Sequence, residues 1–283
     1  MSNLNKLLIA NRGEIAIRIT RAAQELGLTA VAIYPEDDAQ SLHVRLADEA
    51  ILLQGRGASA YLDIAQIVQL AKDAGCDGVH PGYGFLSENA NFAAAVEAAN
   101  MTFIGPSVAA LDAFGDKAKA RALAQACNVP VVAGLSEAIS IEQAQAFFAA
   151  HADSGILLKA IAGGGGRGMR IVRSADELLD AFTRCQSEAL AAFGNDGLYA
   201  EQLVASPRHI EVQIIGDGSG AVSHIWEREC SLQRRHQKLV EIAPSPTLDP
   251  AIRDGMCAAA VRLGHEINYA GLGTIEFLLD TNA

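Results

Sequence analysis

No stretch of this sequence is apolar for the roughly 20 residues that a membrane-spanning helix needs. Charged and polar residues break every apolar run well short of that length, so a soluble globular protein without membrane partners is expected. The opening residues MSNLNKLLIANRGE run from a short apolar stretch into Asn11 and Arg12 rather than into a small-residue cleavage site, so no signal peptide is expected. Cysteine is sparse and unpaired: Cys76, Cys127, Cys185, Cys230 and Cys257 are scattered and odd in number, and none forms a CxxC pair. That spacing suggests neither a disulfide framework nor a zinc site, and reduced thiols fit a cytoplasmic location. Positive charge is also short. Twenty-two Lys and Arg against 33 Asp and Glu leave a net charge of -11, the wrong sign for holding a phosphate backbone, so nucleic acid is not an expected partner. Internal repeats and low-complexity segments are absent.

What is present, in 283 residues, suffices for about two domains. The first hundred residues alternate apolar β-type runs with amphipathic helical stretches. Leu7–Ala10, a helix from about Glu14 to Leu26, and Thr29–Tyr34 make a βαβ opening. The pattern recurs through Ala50–Leu53, Ile64–Ala74, Gly78–His80, Glu88–Ala99 and Thr102–Ile104. A doubly wound parallel sheet is expected over residues 1–114. A boundary is expected near Gly105-Pro106, followed by a helical stretch from about Ser107 to Asn128; the linker between the domains is placed at 115–130, and Pro130 restarts the chain. Residues 131–204 read as a small α+β unit that could close as a lid. Its strands are Ile156–Ala160 and Met169–Arg173, between helices near Ile141–Ala150 and Ala175–Ala192. In residues 205–283 two strands alternate. One sets His209, Glu211 and Gln213 against three aliphatics, and the other, Thr274–Leu279, sets Thr274 and Glu276 opposite Ile275 and Phe277. Asp280-Thr281-Asn282 reads as a hairpin turn, and this third unit reads as incomplete.

Three constellations carry chemistry. In KAIAGGGGRGMR, Lys159 to Arg170, five of the six positions from Gly163 to Gly168 are glycine, lying between two strands. Their backbone N–H groups can approach an anion without Cβ obstruction, so a phosphate clamp is expected, a merely flexible loop being the alternative. Neither GxxxxGK[ST] nor GxGxxG fits, because a strand follows the glycines here. Lys159, a charge in an apolar strand, calls for a phosphate ligand. The second block, ERECSLQRRHQK, holds Arg228, Arg234, Arg235 and Lys238 within twelve residues. Read as one extended strand it is either a solvated edge or a site for a small anion. Glu276 is equally a salt-bridge partner or a Mg²⁺ ligand. Third, HPGYGFLSENANF puts a glycine-rich turn at a strand's C-terminal end before a helix capped by Ser87, where ligands bind in open α/β sheets. Cys230 reads as a packing thiol, and His43, His151, His224 and His265 have no partner spacing.

These blocks, with IANRGEIAIRI, FIGPS, GDK, PRHIEVQ and GTIEFL, stand in an order that resembles biotin carboxylase, the ATP-grasp component of acetyl-CoA, propionyl-CoA and pyruvate carboxylases. The resemblance implies an α/β pre-ATP-grasp domain followed by an α+β ATP-grasp fold. It also implies a reaction: ATP and bicarbonate give carboxyphosphate and ADP, and the carboxyl group passes to N1 of biotin on a carrier protein or domain.

By motif, Lys117 and Lys159 would contact the nucleotide phosphates, with Gly164, Gly165 and Gly166 closing over them and Met169 beside the nucleotide. Glu201 and the backbone of Gln202 and Val204 would face adenine, with His209, Gln233 and His236 on the ribose and phosphate side. Lys238 would hold bicarbonate, with His236 and Arg235 as further catalytic residues. Glu276 would bind Mg²⁺ or Mn²⁺, and Tyr83 would lie on the biotin side. The implied partners are a biotin carboxyl carrier, a carboxyltransferase and a second copy of the chain. Gln202 departs from the family's usual Lys, a small change where the backbone makes the contact. The family's return strand and its further carboxylate, Asn, Arg and Glu-His residues would follow Ala283, so the 283 residues are expected to be inactive alone. A carbamoyl-phosphate synthetase half or a non-catalytic nucleotide-binding module are the alternatives.

Overall fold

The computed structural model describes residues 4–135, 137–161, 168–234 and 237–280, apart from the side chains of 117 and 118. The chain divides into two compact units, Met1–Gly115 with Asp217–Ser219 and Tyr269–Leu272, and Asp116–Gly216 with Gly220–Asn268 and Gly273–Ala283. Among the described residues no helix is long and apolar enough to cross a membrane.

The first unit runs β1 (Lys6–Ile9), α1 (Gly13–Glu25), β2 (Thr29–Tyr34), α2 (Leu42–Leu46), β3 (Glu49–Leu52), α3 (Ile64–Asp73), β4 (Gly78–His80), α4 (Ala90–Ala98), β5 (Thr102–Phe103) and α5 (Val108–Gly115). The strands form one parallel sheet in the order β3-β2-β1-β4-β5. Parallel strands are covered on both faces, and β1 shows why its sequence is apolar throughout. Leu7 and Ile9 pack with Ala16, Ile19 and Ala23 of α1, while Leu8 joins Val31, Ile33, Ile67, Phe92 and Val96 on the other side. The expected doubly wound sheet is what forms.

One detail differs. The helix after β4 is capped by Asn89, whose side chain accepts the Phe92 N–H at 2.9 Å, and not by Ser87. Ser87 donates its own N–H to the Gly84 carbonyl at 2.9 Å, so the chain is still turning there. Asn89→Ala is expected to cost about 1 kcal/mol of stability, measurable by urea unfolding of the purified chain.

The second unit holds two sheets. One, in the order β6-β9-β7-β8, is built from β6 (Gly134–Leu135), β7 (Ile156–Ala160), β8 (Met169–Val172) and β9 (Leu198–Gln202), all antiparallel. Preceding it is α6 (Lys117–Ala126), so the expected single helical stretch is broken into α5 and α6 at Asp116. Helices α7 (Ile141–Ala150) and α8 (Ala175–Phe193) cover the sheet, burying Phe148, Leu178, Phe182 and Cys185 against Ile156, Leu158 and Leu198. A capping box at Ser140 and Gln143 starts α7.

The other sheet, in the order β12-β11-β10-β13, consists of β10 (Pro207–Asp217), β11 (Val222–Arg234), β12 (Gln237–Ile242) and β13 (Ala270–Asp280). Helix α9 (Pro250–Glu266) lies against it, and Gly264 permits the approach, since a Cβ there would stand 2.8 Å from Val222. Ile275 and Phe277 pack with Ala259 and Leu263, leaving Thr274 and Glu276 on the opposite, open face.

Candidate functional site

The ERECSLQRRHQK block is not one extended strand. It divides between β11, ending at Arg234, and β12, beginning at Gln237, which pair antiparallel with Gln233 opposite Lys238 and Arg234 opposite Gln237. Folding back relieves the crowding that one strand would impose, because carboxylates from β10 and β13 can then reach the cations. Lys238 donates to Glu211 and, at 2.5 Å, to Glu276. Glu211 is held from its other side by Arg228, whose Nε donates to Oε1 at 2.6 Å. Arg228 also donates to Gln213 Oε1 at 2.9 Å, and Gln213 Nε2 in turn donates to the Gly273 carbonyl at 2.7 Å. Four strands thus converge on one cluster of two cations and two carboxylates.

Burial would push the Glu211 carboxyl up, but hydrogen bonds from Lys238 and Arg228 outweigh it and hold its pKa below the usual 4.5. Burial likewise opposes the charged form of Lys238, and its bonds to Glu211 and Glu276 overcome that, raising the ammonium above its ordinary 10.5. A depressed carboxyl contributes stability that is present above the unfolded value and lost as pH falls through the folded one. Thermal stability should therefore fall progressively below about pH 4.5, and Glu211→Gln should flatten that acid arm between pH 7 and 3.

The glycine loop is legible from its ends. Residues 162–167, which include Gly164, Gly165 and Gly166, lie outside the described residues. At the two ends Ala160 N–H donates to the Gly168 carbonyl at 2.8 Å, and Gly168 adopts φ +65° with a prospective Cβ only 2.9 Å from Ala160. Only glycine suits that neck. Lys159 stands opposite Met169 on β8 and Tyr199 on β9. It reaches diagonally to Glu201, with its ammonium 5.9 Å from the Tyr199 ring centre. So the structure brings Lys159, Met169 and Glu201 together. The Gln202 N–H donates to Ala133 at 2.8 Å. His209 donates its N–H to Ser231 at 2.9 Å, and Gln233 donates to the Cys230 carbonyl at 2.9 Å. The Lys117 side chain, Arg235 and His236 lie outside the described residues.

Tyr83 belongs to the first unit, on the loop after β4, where its hydroxyl donates to Glu14 and the residue is 61% exposed. Buried Asn11 holds that loop, donating to the carbonyls of Pro81 at 2.7 Å and Tyr83 at 2.8 Å. Gly82, at φ +68°, is required because a Cβ would fall 2.6 Å from the Asn11 amide. Since β1 and β4 are neighbours whose connections wind in opposite directions, this loop lies at the sheet's switch point.

Glu276 has the chemistry of a Mg²⁺ ligand: an exposed hard carboxylate at an open sheet face, where substrate phosphates and water could complete the shell. Glu211, Cys230 and Glu241 also lie within 4.8 Å of one another. They do not suit a hard cation, because Glu211 is already taken by Lys238 and Arg228, and burial pushes the Cys230 thiol up to about 11. That shift is also what a packing thiol shows. Glu211 was visible beforehand as a polar residue on an alternating strand. Arg228 as its partner was not, because the pairing depends on the register between β10 and β11.

Residues 3–111 match the family described as biotin carboxylase, N-terminal domain, and residues 116–283 match carbamoyl-phosphate synthase L chain, ATP binding domain. Pyruvate carboxylase of Bacillus subtilis (strain 168) is 51% identical over 99% of this chain, which spans 25% of that protein. Mitochondrial pyruvate carboxylase of Homo sapiens is 51% identical over 98% of the chain and 24% of its own length. Among solved structures, the biotin carboxylase domain dimer of Hydrogenobacter thermophilus 2-oxoglutarate carboxylase was determined with MgADP, ADP and bicarbonate. It superposes with a TM-score of 0.95 at 43% identity, over 99% of this chain and 62% of that one. Biotin carboxylase from Campylobacter jejuni in complex with β,γ-ATP gives a TM-score of 0.95 at 44% identity, over 99% and 63%. This chain therefore spans about a quarter of its curated relatives and about three-fifths of these solved chains. With both halves of the fold matched, the chain belongs to the biotin carboxylase family and comprises its N-terminal domain and ATP-grasp ATP-binding region.

Proposed function

We propose that this chain serves the first half-reaction of a biotin-dependent carboxylase, the ATP- and bicarbonate-dependent carboxylation of carrier-bound biotin by way of carboxyphosphate. The observation that carries this reading is Lys238 on an open sheet face, held by carboxylates from two other strands. An ammonium so placed is charged at neutral pH and can hold a small anion such as bicarbonate. Arg235 and His236 lie three and two residues before it in sequence and would assist. Lys159 and Lys117 would neutralise the nucleotide phosphates. Met169, Glu201, Gln202, Val204, His209 and Gln233 would hold adenine and ribose, and residues 164–166 would exclude water. Bound at Glu276, Mg²⁺ or Mn²⁺ would supply further charge neutralisation of the phosphates. The protein's own contribution is positioning and electrostatic stabilisation of a phosphoryl group in flight. Tyr83 would contact biotin. The carrier, the carboxyltransferase and a dimeric partner would come from the wider assembly, and the transferase would set the final substrate.

Alone, these residues are expected to bind nucleotide without turning it over, since they correspond to about three-fifths of a solved biotin carboxylase chain. Calorimetric titration with MgADP and phosphate release from MgATP test both statements. Failure to bind MgADP would sink the nucleotide assignment, and phosphate release dependent on bicarbonate and free biotin would show that the stretch is sufficient. A carbamoyl-phosphate synthetase-like ligase is the second reading, favoured by the description of the family matched at 116–283. It predicts bicarbonate-dependent turnover indifferent to biotin, and the match of residues 3–111 to the biotin carboxylase N-terminal domain weighs against it.

A further inference from the structure

Glu211 sits between two cations, one carboxylate oxygen given to each: Oε1 to Arg228 Nε at 2.6 Å and Oε2 to Lys238. Its side chain is only 5% exposed, so water screens neither interaction well. Lys238 meanwhile faces a second carboxylate, that of Glu276. For this lysine to bind an anion, the two carboxylates must not claim its whole charge. The Glu276 charge is open to solvent, at 66% exposure, and to any cation bound there. Glu211 has no such outlet except Arg228.

The Arg228 guanidinium is also fixed in place. Besides Glu211 it bonds Gln213 on the same strand, reaches Thr274 Oγ1 on β13 at 3.4 Å, and lies 3.6 Å from half-exposed Glu241 on β12. A planar fork held at several points cannot follow Lys238 if that side chain moves, so it presents a fixed compensating charge. Thr274 and Glu276 share the open face of β13, so the same contact helps to set where Glu276 meets Lys238.

We propose that Arg228 is a positioning residue that takes up the charge of Glu211 and thereby leaves Lys238 able to bind the anionic substrate. The inference rests on Lys238 as the bicarbonate-holding group. Without Arg228, a buried carboxylate would compete with bicarbonate for the same ammonium. Removing that carboxylate as well should end the competition, a rescue that a merely structural role for Arg228 would not produce.

The test is binding of ¹³C-labelled bicarbonate to the 283-residue chain by NMR, with MgADP affinity measured by calorimetry on the same samples. Arg228→Met is expected to weaken bicarbonate at least about tenfold, while MgADP affinity stays within about twofold. The double variant Arg228→Met/Glu211→Gln should recover bicarbonate to within about threefold of the parent, and Arg228→Lys, which keeps the charge, should lie between. Unchanged bicarbonate binding in Arg228→Met, loss of both ligands together in a folded variant, or no recovery in a folded double variant would overturn the proposal. If Arg228→Met does not fold, the lysine and double variants decide the question. Should the parent chain bind MgADP but no bicarbonate, the assignment of Lys238 itself fails, and this inference with it.

Discussion

Lys238→Gln is expected to lower bicarbonate affinity by about 10- to 100-fold, the range of a lost charge-assisted hydrogen bond, with MgADP binding retained. Glutamine keeps a hydrogen-bond donor, one bond shorter than lysine, but removes the charge. Glu211 keeps its bond from Arg228, so no buried carboxylate is left unpaired and the sheet should hold. Because Lys238 is about a third exposed and Glu211 stays paired with Arg228, the variant should lose less than about 1 kcal/mol of stability. Function and stability therefore separate at this position. Bicarbonate binding by NMR and urea unfolding measure the two; loss of MgADP binding instead would reassign Lys238 to the nucleotide.

Arg253→Met is expected to do the reverse, costing about 3–5 kcal/mol of stability because it strands a buried charge. Glu227 on β11 has a side chain with no solvent exposure, and its Oε1 accepts from Arg253 Nε at 2.8 Å and from the Ser245 N–H at 3.0 Å. The Arg253 guanidinium also donates to the Ser245 carbonyl at 3.3 Å and stands 5.1 Å from the Trp226 ring centre. The pair thus clips the segment after β12 between β11 and α9. Removing both charges in Glu227→Gln/Arg253→Met should recover most of the loss, since the penalty belongs to the unpaired carboxylate. Equilibrium urea unfolding checks this, and a loss below about 1 kcal/mol for Arg253→Met would show that water reaches Glu227. The exposed Lys6–Glu49 pair, by contrast, should tolerate Lys6→Met at less than about 1 kcal/mol.

The first unit was readable because its signals are local. Continuous apolar runs such as Leu7–Ile9 and Ala30–Ile33, separated by amphipathic helices, allow few arrangements other than a parallel sheet covered on both faces. Alternation in β10 and β13 likewise announced which residues would face the core, and Ile275 and Phe277 do so. The cap of α4 was misplaced by two residues, because Ser87 and Asn89 are both good capping residues. The turn running from Gly84 through Ser87 decided between them.

The twelve-residue block 227–238 shows where local reading stops. Its residue types pointed to an anion site, but its fold as a hairpin and the partners of its cations did not follow from its own pattern. Lys238 finds Glu211 27 residues away and Glu276 38 residues away.

The sequence by itself determined the family, the parallel sheet of the first unit, and the presence of Lys159 and Glu276 as charges on otherwise apolar or alternating strands, with Lys238 in a charged block. Period-two and period-3.6 patterns and residue blocks are properties of neighbours along the chain. Only the tertiary structure decided that Arg228, Glu211, Lys238 and Glu276 form one cluster. That depends on the sheet order β12-β11-β10-β13, in which β13 joins β10 across α9 and the β11–β12 ladder shifts register between Glu229 and Gln233. Register and strand order are set by packing the whole sheet against α9, and a slip of one residue would have turned Lys238 to the other face.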